Sequence, residues 1–253
     1  MKPRDLVKAV LPFPARRWLR NQQRRVERAR RRVRSGADLG SLRQTTPVNG
    51  YDYGEGRGQR IDRYYIEGFL TAHAVDVQGH VLEFFDDSYA RKFGGTKVAQ
   101  VDVLHLTADN PRATIVADLA LGDVMSSDTF DCILCTQVLQ YVYDLKAAVR
   151  TLYRILKPGG VALVTAPGIQ MIDRVDMENE GEFWRFTELC LRRLFEEVFP
   201  KGQVDVQAYG NVLAAVAFLH GFAVEDLRRE DLEYCDPDFE VTISLRAAKP
   251  RVV

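Results

Sequence analysis

Hydrophobic and polar positions change rhythm along this chain, and the changes mark out its elements. From Gly79 onward, short apolar runs alternate with helix-like stretches. HVLEFF, KVAQVDVLHL, ATIVADLA, FDCILCTQ and GGVALVTAP are apolar and β-branched enough to predict strands buried on both faces. Between the last two, DLKAAVRTLYRILKP has apolar residues at 145, 148, 149, 152, 155 and 156, the spacing of one helix face. Asp144 suits the N-cap of that helix, and Pro158-Gly159-Gly160 stops it and turns the chain back. Downstream, TELCLRRLFEEVF predicts a helix, QVDVQAY a strand, NVLAAVAFLHG an apolar helix and FEVTISLRAAK a closing strand. Upstream, IDRYYIEGFLTAHA has apolar residues at 61, 65, 66, 69 and 70 and predicts an amphipathic helix, preceded by the loop-like TTPVNGYDYGEGRGQ. Residues 14–34 are rich in helix formers and predict a basic helix ended by Ser35-Gly36. Alternating strands and helices predict a parallel sheet with helices on both faces.

Charge adds a second division. The 253 residues balance to a net charge of zero, yet residues 1–43 hold 14 Lys and Arg against three acids. That segment therefore carries +11 and the remainder −11, and ten of its cations are arginines from Arg16 to Arg34. Such a segment suits peripheral contact with an anionic membrane, with Leu11, Phe13, Trp18 and Leu19 as a small apolar foothold. A solvated basic helix is the plainer alternative, and the acidic body argues against nucleic acid as a partner. No run of 18 apolar residues exists, and MKPRDLVKAVLPFPARRWLR lacks the apolar core of a signal peptide. The expected location is cytoplasmic, with the basic segment at the inner membrane face. Cys132 and Cys135 stand three apart on one strand and so face opposite ways, which argues against joint metal ligation. No metal site is expected.

FDCILCTQVLQYVYDLKAAVRTLYRILKPGGVALVTAP, residues 130–167, resembles the class I S-adenosylmethionine-dependent methyltransferases. The shared features are an FD-strand, a Leu-x-x-Val turn, a helix and an R-x-L-K-P-G-G turn into a strand. EFWRFTELCLRRLFEEVF is similar to a helix start found in many methyltransferases of this sort. The resemblance implies a single, doubly wound, Rossmann-like α/β domain over residues 79–253, with a seven-stranded sheet whose last strand is antiparallel. Residues 1–45 would be a basic helical extension, and residues 46–78 a loop and helix covering the site. It also implies S-adenosyl-L-methionine as cofactor and a sugar, glycan precursor or other small polar acceptor as substrate.

Within that resemblance, Glu83 matches the acid that ends the first strand. Phe85 and Asp87 stand where the first two glycines of the cofactor loop belong, and only Gly94-Gly95 restore flexibility. Asp102 matches the acid that takes the ribose hydroxyls, and Asp118, followed by Leu119, the residue that accepts from the adenine amino group. Thr136 ends the fourth strand beside the cofactor's path. Three residues are candidates for the chemistry: Tyr141, standing where the family commonly has a histidine; His105, near the end of the second strand; and Arg185. Arg57, Arg60, Asp62, Arg63, Tyr64 and Tyr65 form a polar-aromatic patch suited to sugar or phosphate groups. Two readings follow. The chain is either a methyltransferase with a degenerate first motif, or a methyltransferase-like scaffold or non-methyl transferase, binding a nucleotide sugar or a partner, that has lost the cofactor.

Overall fold

The computed structural model describes residues 45–251 apart from Asp123. The predicted basic helix and its membrane contact lie outside the described residues. Seven strands form one sheet: β1 (Gly79–Phe84), β2 (Val98–His105), β3 (Ile115–Val116), β4 (Phe130–Thr136), β5 (Leu156–Pro167), β6 (Val204–Tyr209) and β7 (Thr242–Ala248). Their order is β3-β2-β1-β4-β5-β7-β6, parallel except for β7, which runs antiparallel to both neighbours. The expected sheet and its antiparallel closing strand are both present.

Among the described residues, six α-helices accompany it: α1 (Ile61–Ala72), α2 (Leu145–Ile155), α3 (Arg174–Asn179), α4 (Glu188–Glu196), α5 (Val212–Leu219) and α6 (Arg229–Glu233). Alternation along the central strands sorts the core into layers. Leu82, Ile133 and Cys135 face Val149 and Leu152 of α2 and Leu191 and Phe195 of α4. Val81, Cys132 and Leu134 face Ile66, Phe69 and Leu70 of α1 on the other side. The two cysteines are therefore buried thiols on opposite faces, as their spacing predicted, and no cluster of metal ligands occurs among the described residues.

Local signals act where they stand. Asp144 caps α2 by accepting from Ala147 N at 3.0 Å. The turn into β5 depends on its glycines: Gly159 has φ +86°, and a Cβ at Gly160 would lie 2.9 Å from the Lys157 carbonyl oxygen. Three features differ from the pattern. β3 is two residues long rather than eight, because Asp118 bends the chain into a turn by accepting from Ala120 N at 2.7 Å. Among the described residues, the crossovers from β2 to β3 and from β3 to β4 contain no helix. The short helices α3 and α6 were not apparent from periodicity, since they bury one residue between them, Leu232. No helix among the described residues is long and apolar enough to cross a membrane.

Candidate functional site

Two adjoining cavities open where β1 to β4 end, the rim at which parallel α/β sheets receive ligands. The first, about 460 Å³, is mainly apolar, with Leu104, Leu119, Leu121, Val138, Val142 and Phe183 in its wall. Asp118, His105, Asp144 and Glu180 give it a polar edge. The second, about 370 Å³, is polar, lined by tyrosines, glutamines, two arginines and five carboxylates. Phe84, Phe85 and Tyr141 belong to both walls and so stand between the cavities.

The loop after β1 turns at Phe85. This residue adopts φ +67°, the left-handed conformation that glycine favours. Its backbone is fixed from several directions. Phe85 N donates to Leu104 O at 3.3 Å, and Asn110 Nδ2 donates to Phe85 O at 2.7 Å. The ring meets the His105 ring edge-on, with centroids 5.2 Å apart. Beneath the loop, Glu83 is almost fully buried and accepts from Tyr89 N at 3.0 Å and Ala90 N at 2.7 Å. It thereby caps the π-helical turn Ala90–Gly94. Burial pushes this carboxyl up to about 7, against the pull of those two N–H groups.

The aspartates of the loop do not crowd the site together. Asp87 turns away to Arg91, which holds its carboxyl below the usual range, and it lines neither cavity. Asp86 lines the polar cavity while accepting from Ser88 N at 2.9 Å.

Across the polar cavity, Tyr141 ends a 3₁₀ turn and donates its hydroxyl to Asp176 Oδ2 at 2.6 Å. Burial first, and then Asp176, raise this phenol well above its ordinary value. Asp173 caps α3 through Val175 N and Asp176 N, which fixes Asp176 toward Tyr141. Opposite, Arg60 lies over the Tyr53 ring at 4.3 Å and makes two bonds to the buried Asp62. Arg63 reaches Tyr89 Oη at 3.3 Å. On the floor, Gln137 and Gln140 are at least nine-tenths buried. Gln140 Nε2 approaches Gln137 Oε1 at 3.4 Å, which leaves Gln137 Nε2 and Gln140 Oε1 without a partner.

Of the residues singled out from sequence, Phe85, His105, Asp118, Leu119 and Tyr141 line the apolar cavity, and Glu83, Phe85, Thr136 and Tyr141 the polar one. Asp102 and Arg185 line neither. Asp102 sits inside β2, paired with Leu82, and not at its end. Its carboxylate is 2.6 Å from His80 Nε2 and accepts from Thr114 Oγ1 at 2.8 Å. The strand runs three residues further than the motif suggested, so His105 holds the terminal position. Arg185 is turned onto the Gln170–Met171 backbone and onto Glu182, at 2.6 and 2.8 Å, a clasp that keeps it from the cavities. Tyr89 and Gln170 line the polar cavity unannounced. Tyr89 followed the loop motif too loosely to be noticed, and Gln170 belongs to no pattern.

A family model described as a methyltransferase domain matches residues 18–198. Among solved structures, a SAM-dependent methyltransferase from Archaeoglobus fulgidus is similar at TM-score 0.50 and 10% identity, over 74% of this chain and 94% of that one. A phosphoethanolamine N-methyltransferase of Haemonchus contortus is similar at TM-score 0.50 and 14% identity. That match covers 74% of this chain and 53% of the larger nematode protein. The [4+2]-cyclase SpnF is similar at TM-score 0.50 and 14% identity, over 82% of this chain and 88% of that one. At these identities the likeness concerns the fold. A search of the curated proteins found no match.

Proposed function

The chain belongs to the class I methyltransferase family, and from that premise we propose that it transfers a methyl group from S-adenosylmethionine to a small polar acceptor. One observation carries this reading: the paired cavities have the two-part character of that cofactor. A flat adenosine end suits the apolar cavity, with Leu119 and Val138 against the rings and Asp118 on the rim to accept from an amino group. A zwitterionic methionine end suits the polar cavity. There Arg63 is a donor for its carboxylate, and Glu83 and Asp86 offer acidic surroundings to its ammonium. The orphaned Gln137 Nε2 is a further donor on that path. Bound there, the cofactor supplies an electrophilic methyl carbon on a cationic sulfur.

The chain's own part is to orient, to exclude water and to move one proton. Phe84, Phe85 and Tyr141 enclose the junction of the cavities, where the reacting centre of a ligand spanning both would lie. The Tyr141–Asp176 pair offers a carboxylate acceptor for a proton, with the phenol as its positioned donor. A hydroxyl-bearing ring, such as a sugar, suits the tyrosine, glutamine and aspartate groups of the polar cavity.

Calorimetric titration with S-adenosylhomocysteine tests the reading. Binding that Asp118→Ala weakens supports it. Silence up to millimolar ligand would favour the second reading, a methyltransferase-like scaffold without cofactor, for which the Phe85 ring between the cavities is the motive.

A further inference from the structure

We infer that the acceptor is a small molecule whose reacting group is a cationic amine, seated in the polar cavity beside Asp176 and Gln140. The inference rests on the reading above and narrows its substrate class. Arg60 and Arg63 face five carboxylates in that wall: Asp62, Glu83, Asp86, Asp173 and Asp176. Arg60 is committed to Asp62. A methyl donor with an ammonium, a carboxylate and a sulfonium adds one positive charge, so the occupied cavity stays negative even with Glu83 protonated. An anionic acceptor, a phosphate ester included, would meet repulsion on entry, and a neutral polyol would gain nothing from the excess. An ammonium would restore balance.

The second observation is independent of charge. Gln140 is 1% exposed, and its Oε1 has no partner. Exchanging oxygen and nitrogen in both amides leaves the count unchanged, since one donor and one acceptor of the pair remain unused either way. A buried acceptor without a donor is costly, and an amine N–H satisfies it. Tyr141 lines the same wall, and a phenol ring there suits a cation or its methylated product.

The transfer balances without a further reagent. The ammonium gives one proton to the Asp176 carboxylate, and its nitrogen lone pair then forms the N–C bond. The C–S bond breaks with its electron pair staying on sulfur. The products are a methylated ammonium and S-adenosylhomocysteine, and Asp176 returns its proton to solvent.

The test uses the full chain saturated with S-adenosylhomocysteine, titrated with pairs of probes that differ only in charge: glucosamine against glucose, and ethanolamine against ethylene glycol. Glucosamine 6-phosphate serves as the anionic control. The cationic member of each pair is expected to bind at least about 10-fold more tightly, in the range of hydrogen bonds to charged groups. Asp176→Asn should remove most of that preference. Gln140→Leu, which alters no charge, should weaken amine binding about 10-fold and leave S-adenosylhomocysteine binding in place. Equal binding within each pair, or no binding of either member, overturns the inference. Failure of S-adenosylhomocysteine to bind at all overturns the cofactor reading instead, so the two failures are distinct.

Discussion

Replacing Glu83 by glutamine tests the electrostatics beneath the cofactor loop. In the folded chain its carboxyl titrates near 7 because burial disfavours the charge, against 4.5 for the free side chain. The native state then holds the proton over a pH range in which the unfolded chain has released it. Native protein binds more protons there, so stability falls as pH rises from about 4.5 through 7. At 1.36 kcal/mol per pH unit, the loss by pH 8 is about 3 kcal/mol, most of it below pH 7. Glu83→Gln removes the titration, but it turns an amide N–H₂ toward Tyr89 N or Ala90 N. That leaves one backbone donor unpaired, at about 1–3 kcal/mol. Urea unfolding of both proteins at half-unit steps from pH 4.5 to 8.5 gives a difference curve in which other groups cancel. The variant should be the less stable protein at pH 5, and its deficit should shrink or reverse by pH 8. A difference curve flat within about 0.5 kcal/mol would show that Glu83 titrates normally and that the cap does not bury its charge.

Four further outcomes follow from the same geometry. Phe85→Gly should release left-handed strain of about 1–2 kcal/mol and join the two cavities. Calorimetry should show S-adenosylhomocysteine bound about 10-fold more tightly, with stability within about 1 kcal/mol of the parent, and weaker binding would refute the partition. Asp102→Ala should cost about 1–3 kcal/mol in urea unfolding, because His80 and Thr114 lose their acceptor, yet leave ligand affinity unchanged. Arg185→Ala should likewise lower stability, since the Met171 carbonyl loses a donor and the buried Glu182 its ion-pair partner, and a selective loss of turnover at unchanged stability would restore it to the chemistry. Deleting residues 1–43 leaves a chain of net charge −11. Sedimentation with anionic vesicles should show full-length binding that collapses as salt shortens the screening length to about 8 Å, and none for the truncated chain.

The sheet was legible because its strands and helices obey different periods, and each buried face repeats one of them. Val81, Cys132 and Leu134 on one side and Leu82, Ile133 and Cys135 on the other follow from alternation alone. The site was legible only in part. Glu83, Phe85, Asp118 and Tyr141 stand at strand or turn ends that a motif can index. Asp102 misled because a motif counts residues from a pattern, whereas the sheet counts from register. Pairing with Leu82 and the bonds to His80 and Thr114 fix it inside β2. Asp176 belongs to a helix of six residues held by Asp173, too short for any periodic signal. Gln137 and Gln140 drew notice as loop residues after β4, but an unpartnered amide is a property of packing and has no sequence signature.

Phe85 holds a backbone conformation that favours glycine, and its surroundings explain how. A left-handed non-glycine residue survives only where its surroundings leave no alternative path. Here β1 delivers the chain with Leu104 O already receiving Phe85 N, Asn110 reaches over from the next loop, and Glu83 anchors Tyr89 and Ala90 six and seven residues on. Those contacts hold the loop from both ends, so a non-glycine residue keeps the left-handed conformation at its apex. The side chain it carries takes up room that a glycine would leave open. The ring now stands against His105 between an apolar and a polar cavity. A ligand long enough to enter both must therefore displace the ring or pass beside it. The Phe85 ring thus sits in the path of any such ligand, which is why Phe85→Gly is the informative substitution.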